Sequence, residues 1–215
     1  MKVYRLDEIA KDVRIAIDQN MSSDTLIGFD DVDTLSLNDI IKSKVTDAVK
    51  RIHSTAPAYL LDGGNNFGDA IYWKELESGW CLLPENFMRL VVFQMDDWER
   101  AVYHAISEDD AEYKKQSSRF KGIRGTPQKP VCAIAIRPEG KALEFYSCKS
   151  ENAMVSRAVY LPYPVIDEDD GIEICERCYQ AVVYTIASLV LTTYGNADLS
   201  KALSDLAKSA LIWVQ

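Results

Sequence analysis

The chain has 215 residues, enough for one generous domain with a substantial core, and its hydrophobic fraction of 47% and charged fraction of 27% are those of an ordinary soluble globular protein. A formal net charge of −9 argues against a protein whose main work is to grip nucleic acid, since neutralising phosphate needs clustered Lys and Arg. Like charge does permit a surface past which DNA moves without sticking.

Residues 1–8 are charged throughout and lack the pattern of a secretory signal peptide. The longest apolar run, 181–191, carries Tyr184, Thr185 and Ser188 and is too short to span a bilayer. We therefore expect a soluble protein made in the cytoplasm, with no membrane partner. Five cysteines, Cys81, Cys132, Cys148, Cys175 and Cys178, are too sparse for a disulfide framework and read as reduced, mostly buried thiols. The eleven tyrosines and four tryptophans serve either interfaces or a well-packed core.

In chain order, residues 4–20 place Leu6, Ile9, Val13 and Ile17 at spacings of three and four, which predicts an amphipathic helix. Residues 21–37 form a polar connector whose Asp30, Asp31 and Asp33 suit a solvated loop better than a calcium site, because no glycine and distal glutamate complete the loop. Ser36 or Asn38 caps a second helix that runs to about Thr55, shows Ile40, Ile41, Val45, Ala48, Val49 and Ile52 on one face, and stops at Ala56-Pro57. His53 in its last turn suits a charge on the helix dipole.

The glycine-rich stretch 60–69 lacks the spacing and the lysine of a phosphate loop and predicts a turn needing positive φ. Residues 70–76 and 79–83 flank a Glu77-Ser78 turn and predict a hairpin leading to Leu83-Pro84, a corner because the proline ring disfavours helix at Leu83. Between Glu85 and Asp96 the only charge is Arg89, so 87–95 predicts a buried run, with Pro84, Phe87 and Arg89 as a structural corner that joins helical to β parts. Residues 96–106 fit a helix capped by Asp97 or a strand equally well.

A short surface helix is expected over 109–116. It is followed by the one positive patch in the chain: Lys114 and Lys115, then the Gly- and Pro-rich loop carrying Arg119, Lys121, Arg124 and Lys129. That loop suits a phosphate, an acidic partner surface, or an ordinary exposed connection. Residues 131–136 and 142–147 predict a β-hairpin, with a third strand over 156–161 beside it.

The acidic run 167–170 suits the N-terminus of a long helix over 172–193, in which Cys175 and Cys178 stand one turn apart. A zinc site would need two further ligands, and the only histidines are His53 and His104, so buried thiols are expected. Gly195 closes that helix, and 197–213 forms a last amphipathic helix through Leu199, Leu203, Leu206, Ala210 and Trp213. The fold class is thus α+β in a single domain: an N-terminal helix pair, small antiparallel β-hairpins, and a C-terminal antiparallel helix pair. The helical parts, about 4–56 and 171–213, are expected to pack together around a β-rich insertion over about 60–165.

Two histidines and the absence of nucleophile-elbow, zinc-protease and phosphate-loop motifs argue against an enzyme and against a cofactor or a metal. Several short motifs are instead shared with one family. They are the helix 40–57, the corner Trp80-x-x-Leu83-Pro84-x-x-Phe87-x-Arg89-Leu90, the turn Gly122-Ile123-Arg124-Gly125-x-Pro127-x-x-Pro130, the strand 143–146, Tyr160-x-Pro162, and the helix 175–194. Over about residues 37–211 the chain resembles the head-to-tail adaptor (connector) proteins of tailed phages, of the tail tubular protein A type. The resemblance implies a virion structural protein located at the neck, after a cytoplasmic stage in the host. It implies a homo-oligomeric ring, commonly of twelve copies, that binds the portal above and tail or nozzle proteins below while DNA passes through without sequence-specific binding. A small nucleic-acid-associated or regulatory protein using the basic loop 114–129 is the rival reading.

Overall fold

A computed structural model describes residues 1–20 and 36–212, so the Asp30, Asp31 and Asp33 cluster and Trp213 lie outside the described residues. The chain is mixed α+β. It opens with β1 (Lys2–Arg5), α1 (Leu6–Asn20) and α2 (Leu37–Thr55). Then come β2 (Asn65–Asn66), β3 (Tyr72–Lys74), β4 (Ser78–Leu82), β5 (Phe87–Met95), β6 (Ile106–Ser107), α3 (Ala111–Lys115), β7 (Val131–Arg137), β8 (Gly140–Tyr146) and β9 (Val155–Pro162). It closes with β10 (Gly171–Ile174), α4 (Tyr179–Thr193) and α5 (Ala197–Ile212). These elements fall into two compact units, Met1–Asp62 with Pro164–Gln215, and Gly63–Tyr163.

In the helical unit, α2 starts where expected. The Ser36 hydroxyl accepts the Asp39 N–H at 3.2 Å and donates to the Asp39 carboxylate at 2.6 Å, which satisfies one otherwise unpaired helix donor. Its buried residues Ile41, Val45, Ala48, Val49 and Ile52 repeat at the helical period, and Pro57 follows the last turn. Helix α4 carries no charged residue and packs against α1, α2 and α5, which is why Val182, Val183, Ile186, Val190 and Leu191 can all be buried. Gly195, at φ +75°, ends it, and the Asn196 N–H reaches back to the Leu191 carbonyl at 3.0 Å. Helix α5 turns Ser200, Leu203, Ala207 and Leu211 inward, while Leu206 is exposed. Ser188 and Ser200 exchange hydroxyl-to-carbonyl bonds of 2.8 and 2.9 Å between α4 and α5.

At the ends of this unit the structure departs from the expected helices. Tyr4 and Arg5 belong to a strand, because β1 pairs antiparallel with β10 from Lys2↔Ile174 to Arg5↔Gly171. The acidic run does not cap a helix. It forms a tight turn in which the Asp167 carboxylate accepts the N–H of Asp169 at 2.9 Å and of Gly171 at 2.6 Å. The helix expected from 172 begins only at Tyr179, since Ile172 and Ile174 alternate with exposed Glu173 at the strand period and are buried there. Cys175 and Cys178 bound a 3-10 turn rather than sitting within the helix, and both are buried and outside any disulfide.

The second unit is built from a five-stranded sheet in the order β3-β4-β8-β7-β6 and a three-stranded sheet in the order β2-β9-β5. Phe67, Phe87, Phe93 and Tyr160 from or beside the smaller sheet share one core with Cys81, Cys132, Leu143 and Phe145 from the larger, and Phe93 stacks on Phe145 at 5.7 Å. The β7–β8 hairpin is formed, with Gly140 at φ +134° in its turn. The β3–β4 hairpin turns at residues 75–77, where Leu76 and Glu77 hold φ +66° and +51°, one residue earlier than expected.

The third strand does not lie beside the hairpin. β9 pairs with β5 and β2 in the other sheet, because the long apolar β5 needs a partner for its backbone groups while Ala158 and Tyr160 face the shared core. Residues 96–106 contain no helix. Trp98 enters the core and donates its indole N–H to the Ser147 carbonyl at 3.2 Å, and Val102 bridges Phe93.

Candidate functional site

The corner residues Pro84, Phe87 and Arg89 belong to the 80–90 motif of the family resemblance. Phe87 is buried against Tyr160 at 5.7 Å and Phe67 at 6.5 Å, while Pro84 and Arg89 are half-buried. The Phe87 N–H closes a turn on the Pro84 carbonyl at 3.0 Å. This corner carries the chain from β4 in the larger sheet to β5 in the smaller one, so it joins the two sheets of one unit rather than helical to β parts.

The basic loop is held at its base by polar anchors. The buried Gln116 side chain accepts the Gly125 N–H at 2.7 Å and donates to the Glu112 carbonyl at 3.0 Å, and the Ser147 hydroxyl donates to the Gly125 carbonyl at 3.0 Å. A β-carbon at Gly125 would stand 2.6 Å from the Tyr146 carbonyl oxygen, so only glycine fits that close approach. Beyond it, Thr126 and Lys129 exchange backbone bonds of 3.1 and 2.9 Å around Pro127-Gln128.

Of the four cations expected to meet a partner, Arg119, Lys121 and Lys129 are exposed. Arg124 is not: it is 7% exposed and donates to the Leu76 carbonyl at 2.9 Å and to the Glu77 carboxylate at 3.3 Å, which pins the loop to the β3–β4 turn. The left-handed backbone at Leu76 and Glu77 belongs to the turn that presents both acceptors to Arg124. Two large apolar side chains stand among the exposed cations, Phe120 at 74% and Ile123 at 51%.

Behind the loop lies a cavity of about 390 Å³ that collects Lys121, Arg124 and Lys149 with one acid, Glu77. Arg119 and Lys129 do not line it. Lys149 lies beyond β8, remote from the loop in sequence, and only the fold brings it there. Cys148 also lines this cavity, its thiol pushed up to about 12 by burial first and by the Asp97 carboxylate second, so it stays protonated at neutral pH.

A second polar cluster covers the outer side of the larger sheet. Glu144, 2% exposed on β8, accepts from Lys74 at 2.8 Å, from the Tyr113 hydroxyl at 3.3 Å, and from Arg137 and the Tyr146 hydroxyl. Arg137 lies over the Trp80 ring at 4.6 Å, and Tyr72 stacks on Trp80 at 4.2 Å. The register Tyr72↔Trp80↔Glu144 across β3, β4 and β8 sets this row on one face. A cavity of about 470 Å³ opens beside it, lined by Lys74, Tyr113, Gln116, Glu144 and Tyr146.

Burial alone would raise the Glu144 carboxyl, but donation by Lys74, Tyr146 and Arg137 outweighs it and holds the group below its ordinary value. Tyr146 is raised, by burial first and by Glu144 second. A carboxylate engaged by four donors is a clamp that fastens α3 to the sheet, and it has no lone pair free to act as a base. Among the described residues, no group of three or more His, Cys, Asp or Glu side chains is placed to hold a metal ion, and no helix is long and apolar enough to cross a membrane. The chain matches no protein-family model and no curated protein sequence.

Proposed function

We propose that the chain is a virion structural protein, a head-to-tail adaptor whose copies form a ring, of about twelve copies by family resemblance, between the portal and the tail of a tailed phage. The observation that carries this reading is the loop at 119–129. It projects Phe120 and Ile123 beside Arg119, Lys121 and Lys129 from a chain whose net charge is −9. Exposed aromatic and aliphatic side chains mixed with Arg are what protein–protein contacts use, and such a patch standing alone in water has no folding role.

We read the finer architecture as an N-terminal helix pair and a C-terminal antiparallel helix pair interrupted by a β-rich insertion, the order of elements alongside which the resemblance was drawn. A ring of acidic subunits also gives DNA a passage to which it does not adhere. The test is to mix the purified protein with portal rings, image the mixture by negative stain, and label virions with antibody. Density stacked on the portal and label at the neck are expected. Protein that stays free of portal rings, together with unlabelled necks, ends the adaptor reading. Salt-dependent DNA binding lost on changing Arg119, Lys121 and Lys129 to Ala would favour the nucleic-acid-associated alternative.

A further inference from the structure

The cavity behind the basic loop is lined by more cations than acids. It gathers Lys121, Arg124 and Lys149, and the one acid among its described lining residues, Glu77, already receives Arg124 at 3.3 Å. The ammonium groups of Lys121 and Lys149 form no salt bridge among the described residues, and both residues are exposed. Apolar Phe120 and Ile123 stand exposed on the same loop. The matching ligand is therefore acidic, with an apolar group beside it.

The chain itself carries such a segment. In the helical unit, the turn before β10 exposes Glu168, Asp169 and Asp170, none of which forms a salt bridge among the described residues, and Val165 just before them is 72% exposed. This turn is rigid. The Asp167 carboxylate holds the Asp169 and Gly171 N–H groups, the Asp167 N–H bonds the Gly171 carbonyl at 2.9 Å, and the Asp170 carbonyl accepts the Leu6 N–H at 2.9 Å. A pre-ordered turn loses little conformational freedom on docking. Its outward carboxylates form no salt bridge among the described residues; Asp170 lies within electrostatic reach of Lys42, which leaves Glu168 and Asp169 as the more available pair.

The geometry points to a contact between copies of this chain in which the 165–170 turn of one copy seats in the Lys121–Lys149 cavity of the next, with Val165 against Phe120 and Ile123. Because receptor and plug are different surfaces, each copy offers one of each, and such a heterologous contact propagates head to tail until it closes. The inference rests on the adaptor reading for closure into a ring; the contact itself rests on opposite charge and on exposed apolar side chains beside each surface. Single exposed ion pairs contribute little, so the contact depends on several charges acting together over an apolar patch, and it weakens with salt.

Two charge-reversed proteins test it by sedimentation velocity: K121E/K149E, which makes the cavity acidic, and E168K/D169K/D170K, which makes the turn basic. Wild-type protein is expected to assemble beyond a monomer, and each variant alone to associate at least about tenfold more weakly, since like charge then faces like charge. Mixed in equal amounts, the two are expected to recover assembly, each reversed surface meeting its complement on the other chain. That recovery excludes a folding defect as the cause of the loss. Variants that assemble as well as wild type, a mixture that stays dissociated, or a monomeric wild type would each overturn the contact. Binding of these proteins to portal rings is read separately, so the contact can fail while the adaptor reading stands, and the reverse.

Discussion

The Nε2 of His53 accepts the backbone N–H of Cys175 at 3.2 Å, joining the last turn of α2 to the segment that leads into α4 across 122 positions of sequence. His53 is 2% exposed and Cys175 is fully buried, so the ring does not serve as a solvent-facing charge at the helix end, the role its position in α2 suggested. An accepting Nε2 carries no proton, and the bond fixes the tautomer.

Replacing His53 with Ala should therefore destabilise the helical unit by about 1–3 kcal/mol, because it leaves the buried Cys175 N–H without an acceptor. Urea unfolding that shows a lower midpoint at an unchanged slope would confirm the effect as a loss of stability. A midpoint equal to that of wild type would mean that water reaches the Cys175 N–H.

Glu144→Gln should destabilise the β unit by about 2–4 kcal/mol, since it leaves Lys74 and Arg137 facing each other with no compensating charge; their side chains are only 33% and 21% exposed. The pH dependence follows from the direction of the shift. With the folded carboxyl held below its ordinary value of 4.5, its contribution is present above that value and lost as pH falls through the folded one. Acid unfolding below about pH 4.5 should be less steep in the Gln variant. Tyr146, raised above its ordinary value of 10, contributes below that value and loses its contribution as pH rises beyond it. Tyr146→Phe should flatten the alkaline limb of stability measured from about pH 10 upward.

In the basic loop, the cations should separate into two classes. Arg124→Ala should lower stability by about 1–3 kcal/mol through loss of its charge-assisted bonds to the Leu76 carbonyl and Glu77. Ala at Arg119, Lys121 or Lys129 should leave stability within about 0.5 kcal/mol of wild type while weakening partner binding. Thermal melting paired with co-sedimentation on portal rings separates the two. Equal melting losses for Arg124 and Lys129 would contradict the burial of Arg124.

Two glycines in the same loop should also behave differently. Gly125→Ala should cost about 1–3 kcal/mol, because the new methyl meets the Tyr146 carbonyl oxygen, which a strand holds in place. Gly122→Ala meets nothing within 4 Å and should be neutral within about 0.5 kcal/mol. Melting of the two single variants side by side is the check.

What the amino-acid sequence determined by itself is what neighbours along the chain decide. The Ser36 cap, the Pro57 stop, the Gly195 terminus and the β7–β8 hairpin are each set by residues within a few positions of one another. The buried run of β5 was legible because nine residues with one charge have to be shielded from water whatever shields them. The tertiary structure decided which strand lies beside which, and which polar groups are buried. Strand pairing is non-local, so β9 could join β5 rather than the nearer hairpin, and residues 171–174 could pair with 2–5 instead of extending a helix. The same dependence on distant partners took Arg124 out of the exposed basic set, brought Lys149 into it, and gathered Lys74, Tyr113 and Arg137 around Glu144. A charge reads the same in sequence whether it faces water or a buried carboxylate, and only the fold supplies the partner.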